Sequence, residues 1–333
     1  MIELVCPLCR SALAMEPQAC RCTGCDRVFP VIAGIPDVRL MPDRSLSFEE
    51  ERAKARKLAK FAATSDFKEL IDYYYSITDD VPPALAPAFA NYVHSAPQRA
   101  ARILDAFGGL SGQPSLIDVG CGSGGALLAA SGRFDPLVGV DIGLRWLVIA
   151  RKRLDEAGIS ALLVCADAEA LPFPDRSFTR VIAEDLVEHV RRPDQAIRAM
   201  AAVLELGGKL WVSGNNRNWL GPHPAVGIWA AGMMPKRLRS WITLKIRGVD
   251  SFRNVGFVSP GTLNSDARKA GLDVLDASAR TFDAARARGH SGAMIGAVSI
   301  YNRLVSVPAT KRWLLLFGPT FRIIFQRRIV PEK

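Results

Sequence analysis

Four cysteines near the N-terminus are arranged as two pairs that could bind a metal ion. Cys6 and Cys9 form one CxxC pair, and Cys22 and Cys25 form a second, with twelve residues between the pairs. Two such pairs can present four thiolates tetrahedrally to Zn²⁺. A segment of about 40 residues buries too little apolar surface to fold alone, so a structural zinc ion would supply the missing stability. The alternatives are a redox-active pair and a site that has lost its metal. Cys20 could replace Cys22 as a ligand, but the CxxC geometry favours Cys22.

A glycine-rich turn lies between two apolar runs in the middle of the chain. The run SLIDVG contains Asp118, the turn continues to Gly124, and the run LVGVD ends in Asp141. Strand, glycine turn, helix and strand in this order indicate a βαβ unit. Glycines let a ligand approach the backbone, which a Cβ would block. The spacing GxGxG, followed by a carboxylate that can accept both ribose hydroxyls, favours a cofactor with a ribose but no pyrophosphate.

The elements that position these residues alternate as in an open α/β sheet. A third strand should end at Asp167-Ala168, and TRVIAEDLVEHV should give a fourth strand and its loop. We expect a helix over Pro193–Leu204, a break at Gly207-Gly208 and a fifth strand, KLWVSG. GLDVLDA and TFRIIFQRR should be a paired sixth and seventh strand, with apolar helices between them. We therefore predict a Rossmann-like seven-stranded α/β sheet with helices on both faces.

The remaining segments complete the predicted domain organisation. A zinc ribbon is expected at residues 1–40 and a helical connector or cap at 41–110, with helices over 45–62, 65–75 and twice within 83–107. The catalytic domain would cover 111–333 and carry a substrate-binding insertion at 215–259.

Several segments resemble, in order, the motifs of class I S-adenosylmethionine-dependent methyltransferases. They are DVGCGSG, GVDI, ADAEALPFPDRSF, EDLVEHV and VLELGGKLWVSGNN, and they are similar to the ubiquinone and menaquinone methyltransferase-like branch. One departure is Leu206, where the family usually has proline before the glycine pair, and we expect it to affect only that turn. CPLC, CTGC and FPVIAGIPD resemble the short zinc-ribbon proteins that accompany such enzymes or are fused to them, in which the ribbon is structural or contacts a partner.

The resemblance implies S-adenosylmethionine as the cofactor and assigns residues to each part of it. The residues implied are Asp118, Gly120, Cys121, Gly122 and Gly124 at the methionine part and its turn, Asp141 at the ribose, Ile142 at the adenine ring, Asp167 and Ala168 at the adenine amino edge, and Glu184, Leu186 and His189 near the sulfur.

Methyl transfer needs a general base only when the acceptor is a weak nucleophile such as a hydroxyl. The candidates are His189, His223 and Asp185. His189 follows Glu188 at the carboxyl end of a predicted strand, where open α/β sheets place ligands. His223 lies in the predicted insertion. For both histidines the alternative is an architectural or packed side chain.

The charge pattern bears on the acceptor. The 333-residue chain has a net charge of +10, with basic residues clustered at 236–253 and 303–333. Such a surface attracts nucleic acid, anionic lipid or phosphorylated substrates, unless it is simply a solvated face. Within the insertion an apolar half precedes KRLRSWITLKIR, which is typical of a helix lying on anionic lipid, although a lid packed on the domain fits equally. With no signal peptide and no apolar run of about 18 residues, we expect a cytoplasmic protein, peripheral on the inner membrane face.

These observations predict methyl transfer to a small-molecule acceptor, apolar or lipid-linked, in lipid, glycan or quinone-type biosynthesis. One alternative is an RNA or protein methyltransferase that uses the ribbon and the basic surface. Nucleic acid is the less favoured partner because EDLVEH, not an NPPY-like motif, follows the fourth strand. The other alternative is a noncatalytic binding protein, against which the intact glycine turn and Asp141 argue. The oligomeric state stays open.

Overall fold

The chain divides by its internal contacts into two compact units. A computed structural model describes residues 2–78, 81, 83–107, 114–223, 227–248, 250, 252–282 and 292–329. The first unit comprises Met1–Ala183, Arg198–Leu210 and Arg327–Lys333, and the second comprises Glu184–Ile197 and Trp211–Gln326. The predicted boundary at residues 110 and 111 lies outside the described residues.

A small antiparallel sheet opens the first unit, with Cys20 and Cys22 on its second strand and Cys6, Cys9 and Cys25 in the segments between or before its strands. Its strands pair in chain order and are β1 (Leu13–Met15), β2 (Ala19–Cys22), β3 (Val28–Ile32) and β4 (Ile35–Pro36). The turn between β3 and β4 is Ala33-Gly34, and both residues have positive φ, 51° and 73°. Two-residue hairpin turns with this backbone match the twist of the flanking strands, which explains the glycine.

Four helices follow the small sheet, close to where the sequence predicts them. They are α1 (Phe48–Ala62), α2 (Phe67–Ser76), α3 (Ala86–His94) and α4 (Ala96–Ala106). The first begins three residues later than predicted because Ser47 caps it. The Ser47 hydroxyl accepts from the Glu50 N–H, and the Glu50 carboxylate accepts from the Ser47 N–H, so a capping box fixes the start of the helix.

The large sheet confirms the predicted fold class. Its strands are β5 (Leu116–Val119), β6 (Leu137–Asp141), β7 (Leu162–Cys165), β8 (Phe178–Ala183), β9 (Leu204–Asn215), β10 (Leu272–Ala279) and β11 (Thr320–Arg327). They lie in the order β10-β11-β9-β8-β5-β6-β7. The adjacent pairs β8–β5, β5–β6 and β6–β7 are parallel. Every residue of β5 is buried, as expected for a central strand covered on both faces.

The other helices alternate with these strands or follow them. They are α5 (Gly125–Ala130), α6 (Leu144–Glu156), α7 (Pro193–Val203), α8 (Lys236–Arg247), α9 (Pro260–Lys269), α10 (Gly292–Ser306) and α11 (Pro308–Phe317). The fifth predicted strand was expected to start after Gly207-Gly208, and this was wrong. β9 begins at Leu204 and runs through the glycine pair, because Gly207 adopts φ of 75° and bends the strand without ending it.

Candidate functional site

The four CxxC sulfurs converge in the first unit. All four Sγ atoms of Cys6, Cys9, Cys22 and Cys25 lie within 4.8 Å of one another. The Sγ–Sγ distance is 3.9 Å from Cys6 to Cys25 and 3.3 Å from Cys9 to Cys22. Tetrahedral zinc thiolates have sulfurs about 3.8 Å apart, so the donor set and its size fit Zn²⁺. Cys20 lies outside this cluster, with its sulfur 3.2 Å from the Met15 sulfur.

The segment before β1 is hydrogen-bonded to the loop that follows Asp167. Arg10 donates to the carbonyl oxygens of Leu171 at 2.8 Å and Phe173 at 2.6 Å, and the Val5 N–H donates to the Pro172 carbonyl at 3.0 Å. Three hydrogen bonds to consecutive carbonyls fix the path of that loop relative to the ribbon.

The segment after β4 pairs with the edge of the large sheet at β7. The Val38 N–H donates to the Cys165 carbonyl at 2.9 Å, and the Leu40 N–H donates to the Asp167 carboxylate at 2.7 Å. Arg39 reaches the Ile142 carbonyl at 2.9 Å. Two of the three residues expected around the adenine, Ile142 and Asp167, are therefore in contact with this segment.

A buried ion-pair network anchors the same segment. Asp37 and Arg39 are 1% and 4% exposed, and their side chains pair at 2.7 Å. Arg52 of α1 also pairs with Asp37 at 2.7 Å. Burial alone would raise the pKa of Asp37, but hydrogen bonds from the two arginines outweigh it and hold that pKa below its usual value. Removing Asp37 would leave the buried Arg39 guanidinium without its carboxylate, which is a costly arrangement.

The glycine turn is held by the carboxylate that ends β6. Asp141 accepts from the Gly122 N–H at 2.9 Å and from the Gly143 N–H at 2.7 Å, one on each oxygen. Gly120, Gly122 and Gly124 have φ of 82°, 49° and 74°, which other residues rarely adopt. A Cβ at Gly122 would point into open space. Because a carboxylate has about four lone-pair positions, Asp141 can still accept two hydroxyl groups, so the cradle fits a ribose.

The other residues expected at the cofactor are mostly buried. Asp118 is 4% exposed, Asp167 5% and Ala168 8%, and Ile142 is half-buried. Burial raises the pKa of the Cys121 thiol well above its usual range. A buried, protonated thiol is a poor nucleophile, which argues against a nucleophilic role for Cys121.

The loop after β8, in the second unit, is clamped by an arginine that the sequence did not single out. Arg280 Nη2 pairs with Glu184 Oε1 at 2.8 Å, and Arg280 Nη1 pairs with Asp185. Asp185 has a φ of 49°, and its N–H donates to the Ser213 carbonyl at 3.2 Å. Leu186 is half-buried and His189 is exposed. Of the three candidate bases, Asp185 is therefore engaged by a cation.

His223 lies in an aromatic cluster of the second unit. Its ring meets Phe252 and Phe257 edge-on, with centroids 5.2 Å and 5.6 Å away, and the residue is 7% exposed. These contacts resemble core packing more than a site open to substrate.

Glu188 is a buried carboxyl group that sequence reasoning passed over. It is 1% exposed, and its Oε1 accepts from the Asn215 backbone N–H and side-chain amide. Its Oε2 has no hydrogen-bond partner among the described residues, and a Cβ at Gly214 would lie 2.7 Å from it. Burial, and then the charge of Asp185, raise the pKa of Glu188 to about 8. The group therefore holds a proton at neutral pH.

We expect Glu188→Gln to flatten the pH dependence of stability. The folded-state pKa lies above the unfolded value near 4.5, so the folded state binds the extra proton and wild-type stability falls as pH rises between about 4.5 and 8. The slope is at most about 1.4 kcal/mol per pH unit. Denaturant unfolding at pH 5, 7 and 9 should show equal stability at pH 5 and a more stable variant at pH 9. Exposed Glu49→Gln is the control, and parallel curves for wild type and Glu188→Gln would contradict the prediction.

Known proteins resemble this chain in sequence and in fold. Residues 117–212 match the family model described as a methyltransferase domain. The ubiquinone biosynthesis O-methyltransferase of Stutzerimonas stutzeri is 33% identical over 171 residues, which cover 50% of this chain and 68% of that protein. Its counterpart from Pseudomonas paraeruginosa is 31% identical over 182 residues, covering 54% and 73%.

A solved structure supports the fold. Phosphoethanolamine N-methyltransferase 2 of Haemonchus contortus, in complex with S-adenosyl-L-methionine, superimposes with a TM-score of 0.51 at 15% identity, covering 80% of this chain and 61% of that one. Together with the match over β5 to β9 and the identities above, this makes the chain a member of the class I S-adenosylmethionine-dependent methyltransferases.

Proposed function

We propose that this enzyme methylates a small apolar or lipid-linked acceptor, of quinone, lipid or glycan biosynthesis, while bound to an anionic membrane surface. The observation that carries the proposal is the outward apolar face of α8. The relatives named for ubiquinone biosynthesis support a quinone-type acceptor.

The cofactor would lie along the carboxyl ends of β5 to β7. In our proposal Asp118 and the Gly120–Gly124 turn hold the methionine part, Asp141 accepts the ribose hydroxyls, and Ile142, Asp167 and Ala168 surround the adenine. Glu184 and Leu186 would line the path to the sulfur. When bound, S-adenosylmethionine supplies a methyl group on a good leaving group, so these residues contribute alignment and exclusion of water.

A hydroxyl acceptor would require a base. The relatives are named as O-methyltransferases, and a hydroxyl is a weak nucleophile until its proton is accepted. Asp185 is paired with Arg280 and His223 is packed between phenylalanines. His189 is the candidate whose side chain is exposed to solvent, and we propose it for this role.

The N-terminal cysteines would hold a structural Zn²⁺. We propose that Cys6, Cys9, Cys22 and Cys25 bind the ion in a ribbon of residues 1–40, joined by the helices of 41–110 to a catalytic domain of 111–333 with its acceptor-binding insertion at 215–259. The convergence of the four sulfurs supports the ligand set.

Helix α8 exposes several of its apolar side chains and buries two of its polar ones. Leu238, Trp241 and Leu244 are 45%, 58% and 53% exposed, while Arg239 and Thr243 are buried. Arg239 donates to the Val255 carbonyl at 2.8 Å, and Thr243 donates to the Arg239 carbonyl at 3.1 Å. An exposed apolar ridge flanked by basic side chains suits insertion among anionic lipid headgroups.

The second unit has other exposed apolar side chains. They are Leu220, Trp229, Met233, Ile300, Trp313 and Phe317. Among the residues that the structure describes, no helix is both long and apolar enough to cross a membrane, so we propose attachment at the interface.

Trp241→Glu combined with Leu244→Glu should weaken binding to anionic vesicles at least about tenfold, because each change removes an apolar anchor and adds a repelled charge. Flotation with phosphatidylglycerol–phosphatidylcholine vesicles measures the bound fraction. Phe89→Glu, at an exposed aromatic on α3, is the matched control. Absence of vesicle binding by the wild type, or equal loss in the control, would refute the membrane part.

A further inference from the structure

A cationic cavity lies in the second unit beside the start of α8. Its volume is about 450 Å³, and its lining includes Arg217, Lys236 and Arg239 together with Phe257 and the stretch 232–235. None of its described lining residues is acidic. Three cationic residues, the exposed Arg217 and Lys236 and the buried Arg239, therefore line one space with no carboxylate in its described wall.

Arg239 is the buried member of this trio. It is 7% exposed, and it forms no ion pair among the described residues. Its Nη2 donates to the Val255 carbonyl at 2.8 Å, whereas its Nε has no hydrogen-bond partner in the described part of the chain. The guanidinium lies 4.9 Å from the Phe257 ring centre. A buried cation with an unused donor is costly unless an anion completes it.

The charges around Arg239 do not compensate for its burial. Burial lowers the pKa of Arg239, the charge of Asp250 opposes this shift, and Arg217 adds to it. The pKa remains lowered after all three effects, so Asp250 does not compensate for burial and the neighbouring cation. An anion in the cavity would offset both the burial of the Arg239 guanidinium and its repulsion by Arg217.

The start of α8 adds a further positive contribution. The helix has 12 residues, and its N-cap, Pro235, offers no side-chain hydrogen bond to the first turn. The N–H groups there, with the helix dipole, favour an anion. The backbone at Gly232 packs closely against the backbone of Arg217, because a Cβ at Gly232 would lie 2.4 Å from the Arg217 carbonyl oxygen.

The cavity is next to the exposed apolar face of α8 and to a segment that contacts the loop after β8. Met233 in its wall is 58% exposed, and α8 continues from it into the apolar ridge. Phe257 in its wall follows Gly256, whose N–H donates to the Glu188 carbonyl in the loop after β8 at 2.6 Å. A group held here would lie beside the start of α8 and next to the segment that contacts that loop.

We propose that Arg217, Lys236 and Arg239 form a binding site for a phosphate group. Guanidinium and ammonium groups with helix N–H donors are the groups that recognise phosphate oxygens. The phosphate belongs either to a lipid headgroup or to a phosphorylated acceptor. The second assignment rests on the proposed function, whereas the anion site itself does not.

The test is titration of the whole protein with inorganic pyrophosphate at about 0.15 M salt, without lipid or cofactor. Arg217→Gln with Lys236→Gln should weaken binding about tenfold or more, the loss expected for two charge-assisted contacts. Arg237→Gln with Lys245→Gln removes the same charge from exposed positions of α8 outside the cavity, and should change affinity less than about twofold. Unchanged S-adenosylmethionine binding would show that both double variants are folded.

Two results would overturn the site: no saturable pyrophosphate binding by the wild type, or equal weakening in both double variants, which would indicate diffuse surface charge. A vesicle arm identifies the source of the phosphate. If pyrophosphate releases the protein from phosphatidylglycerol vesicles and the cavity variant floats less, the site takes headgroups. If pyrophosphate binds but vesicle binding depends only on Trp241 and Leu244, the site takes the phosphate of a soluble or acceptor molecule. Failure of vesicle binding alone would count against the membrane proposal and leave the anion site intact.

Discussion

Asp141→Ala is expected to weaken S-adenosylmethionine binding about a hundredfold or more. In the protein this carboxylate already orders the glycine turn through the Gly122 and Gly143 N–H groups, and we propose that it also accepts the ribose hydroxyls. Hydrogen bonds to a charged group each contribute about 1.5–3 kcal/mol, so losing two of them predicts a factor of roughly 10² to 10⁴. Calorimetric titration with S-adenosylmethionine and S-adenosylhomocysteine measures this loss directly.

The controls separate loss of a ligand contact from loss of the fold. Asp155→Ala removes an exposed carboxylate from α6, the helix that follows Asp141, and should leave affinity unchanged. Thermal unfolding without ligand should show a lower midpoint for Asp141→Ala than for Asp155→Ala, because the change also removes the two hydrogen bonds that order the glycine turn, but both variants should still unfold cooperatively. Wild-type affinity in folded Asp141→Ala would remove this residue from the cofactor site.

The glycine turn and the cysteine pairs could be predicted because their information is local. Strand, turn and carboxylate lie within residues 116–141, and the two CxxC pairs lie within twenty residues of one another. Short-range periodicity and spacing are what sequence patterns report. The alternation of strands and helices also predicted the fold class of the sheet, because βαβ connections restrict the possible topologies.

Arg280 and Glu188 could not be predicted in the same way. Arg280 lies 96 residues from Glu184 and follows an ordinary strand, so nothing near it in the sequence indicates its acidic partners. In the loop after β8 the sequence directs attention to His189, whereas the fold buries its neighbour Glu188 and leaves the histidine exposed. Irregular loops have no periodicity from which burial can be read.

The orientation of helix α8 could not be predicted from the sequence either. Its alternating apolar and basic residues predict an amphipathic helix, and the helix is present over Lys236–Arg247. A period of 3.6 residues does not say which face is covered by the protein. The fold buries Arg239 and Thr243 and exposes Trp241, and both the membrane proposal and the anion cavity depend on that orientation.

Cys22→Ser is expected to abolish stoichiometric zinc binding and unfold the ribbon. A structural zinc ion contributes about 10 kcal/mol or more to a small domain, more than a sheet of this size gains from its own core. Metal analysis of the purified protein and hydrogen exchange over residues 2–36 measure the two losses. Cys20→Ser is the matched control, because Cys20 is also buried on β2 but contacts Met15 instead of the cluster. Zinc retained by Cys22→Ser and lost by Cys20→Ser would reverse the ligand assignment.

The same variant tests whether the ribbon supports the cofactor site. Unfolding it releases the Arg10 and Val5 contacts to the loop at 171–173, while the buried Asp37–Arg39 pair can still hold Leu40 against Asp167. We therefore expect a severalfold loss of S-adenosylmethionine affinity, well short of that caused by Asp141→Ala. Arg10→Gln should reproduce this loss with zinc retained, since it breaks the link without touching the metal. Unchanged affinity in both variants would mean that the loop after Asp167 holds its shape without the ribbon.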